Sequence, residues 1–265
     1  GGVTAYTSDE MMTVAAARRL SNGAVCFVGI GLPSAACNLA RLTHAPDLVL
    51  IYESGTVGTR PNVLPLSIGD GELAETARSV IPLPEIFTHY LQRGRVDVGF
   101  LGGAQIDRFG NLNSTVIGPY DAPSVRLPGA GGAPEIAMHV KELLIVMKQS
   151  ARTFVDRLDF RTTVGFLDGG GARACDGFPG GGPRAVITDL GEMTPDPETH
   201  ELVLSAIFDG VTVDSVRAAC GWPLRVAGTV TRVAAPTAAE LQALRDLQER
   251  TRAAHAQHVR ITLPT

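Results

Sequence analysis

The chain has 265 residues, of which 45% are hydrophobic and 19% are charged, so it is long and apolar enough to bury a substantial core. This composition excludes an intrinsically disordered chain, and a net charge of −4 with only 5% aromatic residues argues against nucleic-acid binding. The longest apolar runs fall far short of the roughly 20 residues that cross a bilayer, so we expect no membrane association.

The start of the chain and its cysteines indicate a cellular compartment. No cationic, apolar-cored leader is present, and Gly1 in place of methionine predicts a processed N terminus or a cloning remnant. Four cysteines show neither a CxxC pair nor clustering with histidine, which predicts buried free thiols, no metal site and a reducing cytoplasm. They are Cys26, Cys37, Cys175 and Cys220.

Elements follow one another in a pattern of helices and short apolar runs. Thr7 and Glu10 have the spacing of a capping box, which predicts a helix over residues 11–20. An apolar run at 25–30 predicts a buried strand, and Pro33 predicts the first turn of a helix ending near residue 42. Further strands are predicted at 48–52, 96–101, 143–147, 185–188 and 202–207, and helices at 214–219 and 238–255. Leu241, Leu244 and Leu247 form the apolar stripe of the last helix.

Strands that are apolar on both faces and alternate with helices predict an α/β fold. Its mostly parallel sheet is expected to be covered by helices on both faces. Ligands of such sheets bind in loops beyond the carboxyl ends of the strands, here the loops after residues 30, 52 and 101. Residues 169–183 contain nine glycines and prolines and predict a long loop or lid, so we predict a single domain over residues 1–265.

Glu53 has more than one interpretation from the residues alone. It follows Gly31 by 22 residues, and Gly29-Ile30-Gly31-Leu32-Pro33-Ser34 comes close to a dinucleotide-binding fingerprint, with serine at the third glycine position. Glu53 also ends an apolar strand and precedes Ser54 and Gly55, a setting that suits a nucleophile because small neighbours admit a substrate. A glutamate that merely caps a turn is the third interpretation.

A long motif decides between these interpretations. Residues 102–115 read GGAQIDRFGNLNST and follow a predicted strand, and GAGGA follows at 129–133. Together with ESG at 53–55 and GIGLP at 29–33, these segments resemble the class I CoA-transferases, in particular β subunits of the glutaconate CoA-transferase type. The resemblance runs from the N-terminal helix to about residue 168 and turns the prediction away from a dehydrogenase.

The resemblance implies a reaction and a site. Glu53 matches the family's covalent nucleophile, which carries CoA as a glutamyl–CoA thioester between an acyl-CoA and a carboxylic acid, with ping-pong kinetics. Coenzyme A is then a substrate, with no permanently bound cofactor and no metal. The matching oxyanion and CoA-binding positions are Gly103, Ala104, Gln105, Gly131 and Gly132, and the substrate-proximal positions are Gly31, Ser54 and Gly55.

Some of these residues have alternative roles. Relatives carry Asn at the position of Ala104, so the side-chain oxyanion donor is expected to be Gln105 or a residue of the partner; Gln105 holding its own loop is the alternative. Asn111, Asn113 and Ser114 are expected to stabilise their loop. Three cations are expected to be solvated or to lie between subunits rather than to bind CoA phosphates. They are Lys148, Arg152 and Arg157.

The resemblance also implies an α subunit of similar fold and a hetero-oligomer, with the loops after residues 101 and 169 as candidate interface. Acyl-CoA hydrolysis or decarboxylation on the same fold remains an alternative, and so does a non-catalytic partner role. The presence of Glu53 favours transfer, because members with those other activities have lost this glutamate.

Overall fold

The structure is a computed structural model that describes residues 5–67 and 69–262, with residues 257–262 described by their backbone alone. The predicted N-terminal processing concerns residues outside this part. Two compact units are formed, one by Gly1–Ile86 with Pro236–Thr265 and the other by Phe87–Ala235. The single domain over residues 1–265 stays a prediction. Within the part described, no helix is long and apolar enough to cross a membrane.

The first unit begins with the elements that the sequence predicts. Helix α1 (Ser8–Arg18) starts at Thr7, whose side chain accepts the N–H of Glu10 while the carboxylate of Glu10 accepts the N–H of Thr7, which confirms the capping box. Strand β1 (Val25–Phe27), helix α2 (Leu32–Leu42) and strand β2 (Val49–Ile51) follow. Four short elements were not predicted: β3 (Thr56–Val57), α3 (Gly71–Glu75), β4 (Ser79–Val80) and α4 (Leu83–Glu85).

The strands of this unit lie in the order β1-β2-β3-β4. The β1–β2 pair is parallel, whereas β3 and β4 add in antiparallel fashion. Because parallel strands end at the same edge of a sheet, the loops that follow β1 and β2 lie side by side. These are the loops of Gly31 and Glu53.

The second unit contains most of the sheet. Its elements are a π-helix (Ile86–Leu91), β5 (Val98–Leu101), β6 (Gln105–Ile106), β7 (Leu112–Asn113), β8 (Val116–Ile117), β9 (Val125–Arg126), α5 (Ala133–His139), β10 (Glu142–Val146), α6 (Ala172–Cys175), β11 (Pro183–Ile187), β12 (Gly191–Pro195), β13 (Leu202–Ile207), α7 (Val213–Ala218) and β14 (Arg225–Arg232). The main strands run in the order β5-β10-β11-β12-β13-β14. Strands β5, β10 and β11 are parallel, β12 is antiparallel to both neighbours, and β14 is parallel to β13.

The last helix, α8 (Ala238–Thr262), belongs to the first unit. The predicted leucine stripe is confirmed, because all three leucines are buried. Two bidentate ion pairs join α8 to α1: Arg18 binds Glu240 at 2.6 and 2.8 Å, and Arg245 binds Glu10 at 2.6 and 3.0 Å. The apolar stripe and these ion pairs together hold α8 in place, and the ion pairs join it to α1.

The predicted α/β class with a largely parallel sheet is confirmed, with antiparallel strands added to the parallel pairs. The strands are shorter than their apolar runs: Val28, for example, lies beyond the end of β1 but is still buried. The prediction of buried cysteines holds for Cys26 and Cys37 but is wrong for Cys175, which is exposed at the end of α6, and for Cys220, which is only half-buried.

Residues 169–183 form an anchored loop, which favours the loop over the lid among the two predicted alternatives. The segment contains α6, and the side chain of Arg173 in that helix is buried. Its guanidinium donates to the carbonyl oxygens of Gly165, Ala137 and Gly180 at 2.8, 2.7 and 3.0 Å, and burial lowers the pKa of Arg173 to about 10. The Arg173 guanidinium therefore joins the three segments whose main-chain oxygens solvate it.

Candidate functional site

Glu53 lies in the turn between β2 and β3, at the carboxyl end of β2. The N–H of Gly55 donates to the carbonyl of Tyr52 at 3.0 Å, and the N–H of Tyr52 donates to the carbonyl of Thr56 at 3.1 Å, which closes a tight hairpin around Glu53 and Ser54. The side chain of Glu53 is half-buried. Within the described residues of its own unit the carboxylate has no hydrogen-bond or ion-pair partner.

Gly55 is the residue that allows this turn. Its φ of +99° lies in the region that disfavours side chains, and a Cβ at this position would lie 2.0 Å from the carbonyl oxygen of Ile81. The N–H of Ile81 in turn donates to the carbonyl of Gly55 at 2.9 Å. The glycine therefore lets the turn pack directly against the chain that follows β4.

The loop of Gly31 and the turn of Glu53 are tied together by a buried hydrogen bond that sequence reasoning missed. Gly31 is the N-cap of α2, and Ser34 in the first turn of that helix shares a 2.6 Å hydrogen bond with the phenol of Tyr52. Both side chains are fully buried, and this burial raises the pKa of Tyr52. Ser34 was noticed only as a departure from a glycine fingerprint; its role is to position the residue before Glu53.

In the second unit, Gln105 holds in place the loop of residues 102–115, here called the signature loop. Its side-chain amide donates to Asp159 Oδ2 at 3.1 Å, and its carbonyl oxygen accepts from the amide of Asn113 at 2.8 Å and from the N–H of Asp159 at 3.1 Å. Gln105 is 6% exposed. These contacts favour the loop-holding alternative for Gln105, whereas its oxyanion role stays a prediction.

Asn111 and Asn113 are fully buried and bind main chain, as predicted for loop-stabilising residues. The side-chain amide of Asn111 donates to the carbonyl of Leu167 at 2.8 Å, and its oxygen accepts the N–H of Leu167 at 3.1 Å. Leu167 has a φ of +57°, which is unfavourable for leucine, so Asn111 holds a strained residue in place. Asn113 donates to the carbonyl of Val116 at 2.7 Å.

Ser114 connects the signature loop to the glycine turn at 129–132. Its hydroxyl donates to the carbonyl of Gly129 at 3.1 Å, and its carbonyl accepts the N–H of Gly129 at 3.0 Å. Gly131 and Gly132 follow directly before α5, and within the described part of their unit neither N–H has a hydrogen-bond partner. The hydrogen bonds of Ser114 thus hold Gly129, two residues before Gly131, beside the loop in which Asn113 contacts Ala104 and Gln105.

Other candidate positions have simpler surroundings. Gly103 is tightly packed, since a Cβ there would lie 3.1 Å from the carbonyl oxygen of Asn113, and the N–H of Ala104 donates to that same oxygen. In the part of the chain that the structure describes, Arg152 and Arg157 make no hydrogen bond or ion pair with the loops of Gln105 and Gly131. Among the residues that the structure describes, no group of three or more His, Cys, Asp or Glu side chains is arranged to hold a metal ion.

Comparison with known proteins identifies the family. Residues 9–219 match the sequence profile of the family described as Coenzyme A transferase. The chain belongs to the coenzyme A transferase family. The predicted resemblance and the predicted enzyme class are therefore confirmed.

Three relatives show which members of the family this coenzyme A transferase chain resembles. It is 62% identical to the B subunit of 3-oxoadipate CoA-transferase from Pseudomonas knackmussii, over 96% of this chain and 98% of the relative. The crystal structure of glutaconate coenzyme A-transferase from Acidaminococcus fermentans matches with a TM-score of 0.85 and 34% identity, covering 91% of this chain and 94% of that chain. The decarboxylase AibA/AibB matches with a TM-score of 0.78 and 26% identity, covering 92% and 95%.

Proposed function

We propose that this chain belongs to a two-subunit CoA-transferase and supplies its covalent nucleophile, Glu53. The enzyme transfers CoA from an acyl-CoA to a free carboxylic acid, and 3-oxoadipate is the proposed acid. The 62% identity to one subunit of a 3-oxoadipate CoA-transferase, over nearly the whole of both chains, supports this acid more than the lower identity to the glutaconate enzyme. The proposed partner is the complementary α subunit, because both of these relatives are single subunits of their enzymes.

The observation that carries the proposal is the state of the Glu53 carboxylate. A glutamate that served only to cap a turn would hydrogen-bond to the N–H groups of that turn, as the carboxylate of Asp70 does at the start of α3. Glu53 makes no such contact within the described residues of its unit, although it is half-buried in a hairpin that the Gly55 turn fixes. A positioned carboxylate without a partner suits a nucleophile.

The reaction consists of four nucleophilic substitutions at carbonyl carbon. A Glu53 oxygen attacks the thioester carbonyl of the acyl-CoA and expels CoA as a thiolate, which leaves an acyl–glutamyl anhydride. The thiolate attacks the glutamyl carbonyl of the anhydride, forms the glutamyl–CoA thioester and releases the donor acid. An incoming carboxylate then attacks this thioester and expels the thiolate again, and the thiolate attacks the acceptor's acyl carbonyl to release the new acyl-CoA and regenerate Glu53.

Each attack forms a tetrahedral oxyanion that requires fixed donors. The N–H groups of Gly131 and Gly132 are the proposed main-chain donors, because they are unpaired in the described part of their unit and their turn is anchored through Ser114. Gln105 is the weaker side-chain proposal, since its amide already donates to Asp159. The small residues Gly103 and Ala104 are proposed to let CoA approach the main chain closely. The residues proposed to lie around the substrate are Gly31, Ser54 and Gly55.

Mass spectrometry of the Glu53 peptide tests the proposal. The two-subunit enzyme is incubated with an acyl-CoA in the absence of an acceptor acid, and we expect a CoA adduct on Glu53. Glu53→Ala is expected to abolish the adduct and to lower transfer by at least about 10³-fold. Glu75→Ala, at a glutamate in α3 outside the proposed site, is the matched control and is expected to retain both.

Two further results discriminate between chemistries on this fold. Glu53→Asp retracts the carboxylate by one methylene, so it is expected to impair transfer and to admit water to the thioester. Transfer at the normal rate by the Glu53→Ala enzyme would refute the nucleophile. Acyl-CoA hydrolysis or decarboxylation without any transfer to 3-oxoadipate or another acid would support the alternative that the decarboxylase relative represents.

A further inference from the structure

Three arginines of the first unit come together at the end of α2 that lies away from the Glu53 turn. Arg41 is in the last turn of α2, Arg60 follows β3, and Arg250 lies on α8. By helix rise, Arg41 is about 13 Å along α2 from the first residue of that helix. The group contains none of the residues to which the reaction has been assigned, although the Arg41 guanidinium lies close enough to Tyr52, the residue before Glu53, to influence its pKa.

Each of the three side chains is held by main-chain oxygen atoms. Arg41 donates to the carbonyl of Pro61 at 2.8 Å, Arg250 donates to the carbonyl of Asn62 at 3.2 Å, and Arg60 donates to the carbonyl of Pro46 at 3.0 Å. Arg41 and Arg250 thus bind successive carbonyls of the segment that begins at Arg60. Neutral anchors orient the guanidinium groups without cancelling their charge.

The acidic residues that the structure describes do not pair with these arginines. Among the described residues, none of the three forms an ion pair, in contrast to Arg18 and Arg245, which bind glutamates in the same unit. Glu72 is the acid next to this segment, and its Oε1 accepts the N–H of Asn62 at 2.6 Å. Arg41 is half-buried, and burial together with the charges of Arg60 and Arg250 lowers its pKa.

Such an arrangement favours an anion of high charge. Three like charges that lie close together repel one another, here with Arg41 half-buried and Arg60 and Arg250 exposed, and a bound anion relieves that repulsion. Each guanidinium retains N–H groups that are not used by its carbonyl anchor, and the planar fork of arginine matches phosphate oxygens. A single carboxylate would neutralise only one of three charges, whereas a phosphate monoester or a diphosphate neutralises two or three.

We propose that Arg41, Arg60 and Arg250 form a binding site for a phosphate-bearing anion. The phosphates come either from a nucleotide such as that of CoA or from a free inorganic anion, and the chemistry of recognition is the same. This site is independent of the role proposed for Glu53, since it uses none of the residues of that turn.

Isothermal titration calorimetry of the full chain with inorganic pyrophosphate tests the site. We expect a dissociation constant below about 1 mM that rises with salt. Arg41→Gln, Arg60→Gln and Arg250→Gln are each expected to weaken binding about tenfold or more, because each removes charge-assisted hydrogen bonds. Arg252→Gln is the matched control on α8: Arg252 is exposed, is about 200° around the helix from Arg250, and its loss is expected to change binding by less than about twofold.

Two further comparisons identify the source of the phosphate and allow for a variant that does not fold. Tighter binding of adenosine 3′,5′-bisphosphate than of pyrophosphate assigns the site to a CoA-type nucleotide, and equal or weaker binding assigns it to a free phosphate anion. Arg60→Gln removes a single exposed contact, so it remains informative even if Arg41→Gln does not fold. Absence of pyrophosphate binding, or equal binding by the Arg60→Gln and wild-type chains, would overturn the proposal.

Discussion

The hydrogen bond between Ser34 and Tyr52 is the contact whose loss has the most direct consequence for the Glu53 turn. Both residues are fully buried, and their hydroxyl oxygens are 2.6 Å apart. Tyr52→Phe leaves the Ser34 hydroxyl buried without this partner, and Ser34→Ala does the same to the phenol. A buried polar group that loses its partner costs about 1–3 kcal/mol, so each single change is expected to lower the free energy of unfolding by about 2 kcal/mol.

A double-mutant cycle distinguishes this bond from a loss of packing. The Ser34→Ala/Tyr52→Phe double variant removes both polar atoms at once, so its cost should fall short of the sum of the single costs by about 1–3 kcal/mol. Unfolding in urea, followed by circular dichroism, gives the three values. Tyr120→Phe makes the same change at a tyrosine that is 54% exposed and should stay within about 0.5 kcal/mol of the wild type. Single costs that simply add in the double variant would refute the reasoning.

Two further predictions concern the first unit. Gly55→Ala should destabilise the chain by more than about 2 kcal/mol, since its Cβ would collide with Ile81, whereas Gly23→Ala, at a similar positive φ with open space around it, should cost only about 1 kcal/mol in the same urea assay; equal costs would contradict the clash. The ion pair with Arg245 holds the pKa of Glu10 below its ordinary value of 4.5, so its stabilisation is present above that pH and is lost as the pH falls below it. The urea midpoint of the wild type should therefore decline more steeply below pH 4.5 than that of Glu10→Gln, and parallel curves would show that the pair contributes nothing.

Local signals predicted the parts of the fold that depend on neighbours in sequence. The capping box of Thr7 and Glu10 and the leucine stripe of α8 act within one or two helical turns, so their spacing is sufficient to identify them. Helix α5 was missed because its start lies directly after the glycines at 131 and 132, which usually indicate a loop. Strand β12 was missed because its Gly-Glu-Met-Thr-Pro sequence lacks an apolar run, and its pairing with β11 and β13 holds it in the sheet.

In the candidate site, too, local features could be predicted from the sequence and contacts between distant residues could not. The turn of Glu53 could be predicted because the apolar strand, the glutamate and the glycine are consecutive. The partners of Gln105 could not, because Asp159 is 54 positions further along the chain and has no distinctive setting in the sequence. Ser34 and Tyr52 are likewise 18 positions apart, and only the parallel arrangement of β1 and β2 brings them together.

The buried guanidinium of Arg173 has a consequence for how the protein withstands proteases. A segment as rich in glycine as residues 169–183 is normally a preferred site of cleavage, since its backbone enters a protease cleft readily. Here the segment is joined, through one side chain, to the carbonyl end of α5 and to the chain near residue 165. Because this anchor restrains the backbone, we expect cleavage between residues 169 and 183 to be slower in the wild type than in an Arg173→Ala variant, even though residues 174–177 are exposed.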